Sequence, residues 1–518
     1  MTFPQQSGPA DPEHPAAAGA APYHRRGKTV GEPGGINTMR RLASAPALAA
    51  RYRRVTGWWA GTRLLLLLWA LGVVPYFSRG AVVGDVAKYA NWAQTMTHGS
   101  FPVKDPEWQY PPGAALVMLI PQALTRLHLH LGYLTAFFLF ALAADAAVYL
   151  MLLGQADRIA AERGAPPHPA GIWAWIGGAL ALGPIVLMRY DGIVTALAVA
   201  GLLATVHTTG SRSAPAAERR TWALRGALLG LGAVVKVWPA VLLLGLDSVK
   251  HGRRALAWAT ATALAVCGVL AALLPGAFSF LGGQTNRGIE VESVLASPFM
   301  IASWFGYPVH VVHAYGAFQV SAPGVSLLGS GSLLLTVLGF GLVLWWRTRR
   351  SHGLTWTPAL MYDVSFTVLL IMVVTSRVLS PQYLIWLMGL AALCLAEDAP
   401  GHRATLMGRP ARLVMLCVLV TQIEFPLLFG QVLHHGFWGT ALVAARNLTL
   451  LAATWLALRT LWQATGEPSA ATSPAAGTGV AAPLPAGQPA GLAAPLPVLR
   501  ATPADPRTRA DPARAQGR

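Results

Sequence analysis

Residues 57–78 read GWWAGTRLLLLLWALGVVPYFS, the first of many long apolar runs in this chain. A helix needs about 20 such residues to cross the hydrocarbon core of a bilayer. Because lipid offers no hydrogen-bond partners, a backbone that crosses it must form helices or a closed barrel. The sequence has no series of short alternating strands typical of a membrane barrel. It therefore predicts an all-α integral membrane protein.

The composition agrees with a chain that lies largely in the lipid bilayer. Of the 518 residues, 54% are hydrophobic and 12% are charged, whereas soluble domains carry about 25% charged residues. The net charge of +18 comes from basic residues at the ends of apolar segments and in two tails. This pattern follows the positive-inside rule and does not indicate a nucleic-acid partner. Cys267, Cys394 and Cys417 lie in apolar segments and form neither a disulfide framework nor a zinc spacing.

The apolar runs predict a polytopic bundle of about 10–12 transmembrane helices. Residues 113–127 are short and interrupted by Pro121, so they predict an interfacial or re-entrant helix. Residues 226–247 predict either a hairpin that turns at Lys236-Val237-Trp238-Pro239 or a single span. The other predicted spans are approximately 57–78, 131–153, 171–188, 191–208, 255–275, 325–346, 357–376, 382–396, 411–430 and 437–460.

Basic residues before the first span predict the orientation of the chain. Arg51, Arg53 and Arg54 place the N-terminus in the cytoplasm, because cytoplasmic flanks carry the excess of Lys and Arg. The tails, 1–50 and 463–518, are rich in Pro, Ala and Gly and predict disordered basic cytoplasmic segments. Loops 79–112, with a juxtamembrane helix, and 276–324 then lie outside a multi-pass cell membrane protein.

Charged residues of the predicted outer side form the candidate site. A charge at membrane depth is costly unless it is paired or hydrated, so these residues predict one outward cavity. Its acids would serve proton transfer, and its cations would bind an anionic group such as a phosphate. The candidates are Asp85, Glu107, Arg189, Asp191, Arg287, Glu290, Glu292 and Arg377.

Several motifs resemble those of a known enzyme family. Gly84-Asp85, Tyr89 and the run WQYPP at 108–112 resemble the first outer loop of GT-C membrane glycosyltransferases. The sequence is most similar to glycosyltransferase family 87, which includes the polyprenyl-phosphate-mannose-dependent mannosyltransferases of actinobacteria. The resemblance covers approximately residues 55–460 and makes 51–462 one transmembrane glycosyltransferase domain. Its other matching segments are Arg189–Asp191, Lys236–Pro239, Arg287–Gly288, Glu292–Ser293 and Pro381–Tyr383.

The resemblance implies an inverting transfer of a sugar, mannose, from a polyprenyl phosphate. The acceptor would be a glycolipid, polysaccharide or glycoprotein of the cell envelope at the outer face. Asp85 would act as general base on the acceptor hydroxyl, and no cofactor is expected. Lys236, Arg287 and Arg377 would stabilise the leaving phosphate. The further candidates for substrate binding are Lys88, Glu107, Tyr110, Arg189, Asp191, Glu292 and Gln382, with Trp92 and Trp108 stacking on a sugar.

The same residues allow plainer interpretations. Asp85 is also suited to cap the juxtamembrane helix. Lys236 is also suited to extend from a packing position toward the membrane surface. Arg189 and Asp191 could also pair with each other at one turn. Trp92, Trp108 and Tyr110 also fit an aromatic belt at the membrane surface.

Other functions are open as well. A divalent metal would take Asp85 and Glu107 as ligands, whereas His310 and His313 have helical i, i+3 spacing without a companion acid. The alternative functions are a transporter or lipid flippase of envelope precursors, with a site near the membrane midplane, and a non-catalytic scaffold.

Overall fold

The computed structural model describes residues 50–464, apart from 76–78, 128–130, 165, 206–213, 248, 286, 350, 352–353 and 400–401. In this part of the chain, six helices are long and apolar enough to cross a membrane by length and composition. The predicted all-α, polytopic membrane fold is confirmed. The two predicted tails lie outside the described residues except at their inner ends.

The long helices coincide with most of the predicted apolar runs, but two extend beyond them: the helix from Ala214 begins before the predicted segment 226–247, and the helix from Tyr133 continues past 153 to Arg163. The first half of the chain contains α1 (Arg53–Leu71), α2 (Arg79–Thr97), α3 (Ala114–Arg126), α4 (Tyr133–Arg163), α5 (Ala170–Leu182), α6 (Ile185–Met188), α7 (Asp191–Leu203) and α8 (Ala214–Val235). The second half contains α9 (Val249–Leu273), α10 (Phe280–Thr285), α11 (Ser297–Ala302), α12 (Val325–Arg349), α13 (Pro358–Thr375), α14 (Tyr383–Ala396), α15 (Gly408–Gln422), α16 (Phe429–Leu433) and α17 (Phe437–Gln463).

The two ambiguous segments have clear local structures. Helix α3 has 13 residues, so it extends about 20 Å and is shorter than the hydrocarbon core of a bilayer. Helix α8 ends at Val235, and after Lys236 and Val237 the chain continues as a 3₁₀ helix over Trp238–Gly245. The break therefore falls at the Lys236–Pro239 motif, which is where the hairpin alternative placed its turn.

A buried ion pair joins the first span to its neighbours. The Nη2 of Arg63 lies 2.8 Å from Oδ1 of Asp145, and both side chains are 2% exposed. Arg63 also donates to the main-chain oxygens of Trp175 and Ile176, and Trp59 Nε1 donates to Asp145. Every charge in this cluster has partners, so it fixes α1 against α4 and α5 and is structural.

The loop between α9 and α12 contains a small antiparallel sheet. Strands β1 (Ile289–Glu290), β2 (His310–Ala314) and β3 (Ala317–Ser321) form it in the order β1-β3-β2. The helical spacing predicted for His310 and His313 is wrong, because both lie on β2. Residues three apart on a strand point to opposite faces of the sheet. A second sheet pairs β4 (Asp398–Ala399) with β5 (His402–Arg403).

Candidate functional site

A cavity of about 520 Å³ lies where helix α2, the loop after it and the 287–318 segment meet. Aromatic rings line it together with charged groups, which is the mixture expected of a polar ligand site. The polar residues of its wall are Asp85, Lys88, Tyr89, Trp92, Glu107, Gln109, Tyr110, Arg189, Arg287, Glu290, Glu292, His313, Tyr315, Ser380 and Gln382. Most of the predicted site residues are thus brought together, and Asp191, Lys236 and Arg377 are not part of this wall.

Asp85 lies in the wall within an ion pair. It belongs to the interior of α2 and pairs with Arg189, which follows α6. The capping interpretation of Asp85 is therefore wrong, because a cap stands at the helix end. The interpretation of Arg189 and Asp191 as a mutual pair is wrong as well, because Asp191 pairs with Lys236.

Two further ion pairs bring acids and cations together in the wall. Lys88 pairs with Glu107, which joins α2 to the loop that follows it. The Nη2 of Arg287 lies 2.6 Å from Oε1 of Glu290, and the other carboxyl oxygen accepts from Ser380 Oγ at 3.0 Å. The wall therefore carries four carboxyl side chains and three Lys or Arg side chains, which come from segments far apart in the sequence.

Lys236 lies beside the cavity in a closed cluster. Its Nζ donates to Oδ1 of Asp191 at 2.7 Å, and Trp386 Nε1 donates to the same oxygen at 2.6 Å. The ammonium also lies 4.9–5.2 Å from the ring centroids of Tyr190, Tyr383 and Trp386. Tyr190 and Tyr383 directly follow two wall residues, so this cluster supports the cavity. The predicted contact of Lys236 with a phosphate stays a prediction.

We expect Lys236→Met to destabilise the protein strongly. Asp191 is 1% exposed, and leaving one member of a buried pair without its partner costs about 3–5 kcal/mol. Thermal unfolding of the purified protein in detergent measures the effect. The double variant Lys236→Met/Asp191→Asn should recover most of the loss, because it removes the stranded charge. A single variant as stable as the wild type would contradict a structural role for the pair.

Arg377 contributes its main chain to the site. Its carbonyl oxygen accepts from the Glu290 amide at 2.9 Å, which attaches β1 to the turn between α13 and α14. Burial, followed by the repulsion of neighbouring Arg287, lowers the pKa of the Arg377 guanidinium. The two arginines are therefore close enough to interact. The predicted phosphate contact of Arg377 stays a prediction.

The aromatic side chains of the first loop form one cluster in the protein interior. Trp92 is 5% and Trp108 3% exposed, and their ring centroids lie 5.4 Å apart. The Tyr110 ring lies 5.7 Å from that of Trp92 and 5.5 Å from that of Tyr190. A lipid-facing belt is therefore the wrong interpretation for these rings. Trp92 and Tyr110 line the cavity, and burial raises the pKa of the Tyr110 hydroxyl to about 12, so it stays a neutral donor.

Two charged residues of the site were not among the sequence candidates. Glu424 and Arg446 are fully buried, and Arg446 Nη1 lies 3.1 Å from Oε2 of Glu424 and 3.6 Å from Oε1 of Glu292. Both lie within predicted spans, where a charged residue by itself indicates a functional or structural site. Burial, and then the adjacent Glu424, raise the pKa of Glu292 well above its ordinary value.

The acids of the wall do not form a recognisable metal site. Within the described ranges, no three His, Cys, Asp or Glu side chains come together in a group that could hold a metal ion. Asp85 and Glu107, the two ligands considered from the sequence, have Arg189 and Lys88 as partners.

Comparison with known proteins identifies the family of the chain. The model of glycosyltransferase family 87 matches residues 108–375. The chain belongs to this family. The protein is thus a membrane glycosyltransferase, and the predicted membership of family 87 is confirmed. Arg189 and Arg287 fall inside the matched region, whereas Asp85 precedes it.

One solved structure that the chain resembles is ArnT from Cupriavidus metallidurans bound to undecaprenyl phosphate, at 15% identity and a TM-score of 0.36. The similarity covers 79% of this chain and 78% of that one. No curated protein matches the chain.

Proposed function

We propose that this glycosyltransferase moves mannose from a polyprenyl phosphate to a hydroxyl of a cell-envelope acceptor at the outer face, with inversion. The observation that supports the proposal is the cavity itself, which holds the carboxylate of Asp85 and the guanidinium groups of Arg189 and Arg287 in one wall. An acid for a hydroxyl proton and cations for a phosphate are the two parts that such a transfer needs.

The proposed reaction is a single displacement. The acceptor oxygen attacks the anomeric carbon of the sugar while the bond from that carbon to the phosphate oxygen breaks. Asp85 takes the hydroxyl proton, and the polyprenyl phosphate leaves with the bonding electron pair. One attack from the opposite face inverts the anomeric centre. Arg189, paired with Asp85, orients the carboxylate toward the acceptor.

The charge that develops on the phosphate needs donors with unused hydrogen-bonding capacity. Among the described residues, the buried Nε atoms of Arg189 and Arg287 have no hydrogen-bond partner in the protein. Charge-assisted hydrogen bonds from arginine to phosphate are among the stronger polar contacts of proteins. Both arginines therefore combine an ion pair to a wall carboxylate with a further N–H for the ligand. This arrangement favours group transfer over the transporter or flippase alternative.

A transfer assay tests the proposal. The purified wild-type protein is incubated with radiolabelled polyprenyl-phosphate mannose, polyprenyl-phosphate glucose and a nucleotide-linked mannose, each with extracted envelope lipids and polysaccharides as acceptors. We expect label to move from polyprenyl-phosphate mannose and the product linkage to be inverted when its anomeric configuration is determined by NMR. Transfer from the nucleotide sugar alone, or from no polyprenyl-phosphate sugar, would contradict the proposal.

A further inference from the structure

Glu292 has an open hydrogen-bonding position in the cavity wall. The residue is 6% exposed and lines the cavity. Its Oε1 lies 3.6 Å from Nη1 of Arg446, as part of an ion pair, and among the described residues it is one of the buried polar atoms that make no hydrogen bond. An unsatisfied buried polar atom is unfavourable, and its presence in a native structure calls for a ligand or a water as partner.

The position of Glu292 is fixed by helix α17. Its main-chain oxygen accepts from Arg446 Nη2 and from Asn447 Nδ2 at 3.1 Å. Asn447 also donates to the Ser293 oxygen at 3.1 Å. Arg446 and Asn447 are 0% and 1% exposed. The main chain at Glu292 is thus held in place from a buried helix, so a bond from its side chain to a ligand requires less ordering of the protein.

The chemistry of this position differs from that of the arginine positions. The carboxyls of Glu292 and Glu424 share a single cation, Arg446, so this position offers no unpaired positive charge to an anionic group. A neutral hydroxyl, by contrast, donates a hydrogen bond to a carboxyl oxygen and brings no charge. The group suited to Glu292 is therefore one hydroxyl of a polyhydroxylated ligand.

We infer that Glu292 determines sugar specificity by accepting a hydrogen bond from one hydroxyl of a bound glycosyl unit. The inference rests on the proposed function, to which it adds one contact between the protein and a sugar hydroxyl. That glycosyl unit belongs either to the donor or to the acceptor. A substrate without the hydroxyl leaves the carboxyl oxygen unpaired again, so its binding should weaken by about 10- to 100-fold.

Deoxy substrates test the inference in two arms. The donor arm compares short-chain polyprenyl-phosphate mannose with its 2-, 3-, 4- and 6-deoxy derivatives. The acceptor arm does the same with octyl mannoside. Dissociation constants and transfer rates are measured for the wild type and for Glu292→Ala, in which the Arg446–Glu424 pair remains. We expect that removal of one hydroxyl, in one arm, weakens binding to the wild type by at least about 10-fold. The same removal should weaken binding to the variant by less than about 2-fold.

Two further variants test whether a changed effect of the deoxy substrates is specific to the Glu292 side chain. Glu397 is buried and pairs with Arg163, away from the cavity wall. Glu397→Gln should therefore show the same loss of binding with each deoxy substrate as the wild type. Should Glu292→Ala fail to fold, Glu292→Gln keeps the shape of the side chain and should change the penalty at the same position. Equal penalties in the wild type and the folded variant at all positions would overturn the inference.

Separate measurement of binding distinguishes the inference from the proposed function. If the wild type binds the donor but transfers no sugar, the proposed function fails, and the dissociation constants still decide the role of Glu292. If the wild type binds neither probe, the inference is overturned too. If transfer occurs and Glu292 variants discriminate as the wild type does, only the inference is wrong.

Discussion

Replacing Asp85 with asparagine is expected to lower the rate of sugar transfer by about 10³-fold, since a positioned general base contributes about 10² to 10⁴. The asparagine has nearly the same shape but takes no proton from the acceptor. Binding of the donor should change much less than turnover, because the base acts on the acceptor. Initial rates at several donor concentrations separate the two effects.

Asp157→Asn is the matched control for this variant. Asp157 is 21% exposed and Asp85 23%, and each pairs with an arginine. Asp157 contacts Arg51 and Tyr52, before the start of α1. Helix α2, which contains Asp85, follows the other end of that 19-residue helix, about 28 Å away along its axis. We expect near-wild-type transfer from this control. A similar loss in both variants would point to destabilisation.

Replacing Arg287 with glutamine should lower the catalytic efficiency toward the donor by about 10²- to 10³-fold, the loss typical of one donor that stabilises transition-state charge. The guanidinium lines the cavity, and its Nε is without a protein partner among the described residues. The loss should appear in the maximal rate as well as in the donor Michaelis constant, because the phosphate gains charge as it leaves. Lysine at this position should restore part of the rate.

Arg163→Gln controls for the loss of a half-buried ion pair. Arg163 and Arg287 are both 16% exposed, and their partners Glu397 and Glu290 are 6% and 4% exposed. Arg163 is not in the cavity wall, so its replacement should affect stability and leave donor kinetics near the wild-type values. If Arg287→Gln retains wild-type efficiency while folded, Arg287 does not contact the phosphate.

Local patterns were sufficient to predict most of the long apolar helices. The run of leucines at 64–68 and its counterparts determine the spans, because each apolar helix satisfies its own main chain. The meeting of Asp85, Arg189 and Arg287 also followed from the sequence, because the predicted topology places their three segments on one side. Both predictions depend on the order of spans and need no knowledge of side-chain packing.

The partners of individual side chains could not be predicted from local sequence patterns. Lys236 and Asp191 are 45 residues apart in sequence and Arg446 and Glu292 are 154 apart, and nothing local indicates that they meet. The sequence therefore predicted Lys236 as a phosphate contact, whereas packing of α7, α8 and α14 gives it a carboxylate partner. The strand at 310–314 was missed because its residues alternate weakly and are stabilised by pairing with β3.

The most direct test of the central claim is a cryo-EM structure of the Asp85→Asn variant with intact polyprenyl-phosphate mannose. The variant should bind this donor without consuming it. We expect the phosphate to lie within hydrogen-bonding distance of Arg287 or Arg189, about 2.7–3.2 Å. The sugar should lie in the cavity beside residue 85. A donor phosphate bound outside this cavity, away from both arginines, would contradict it.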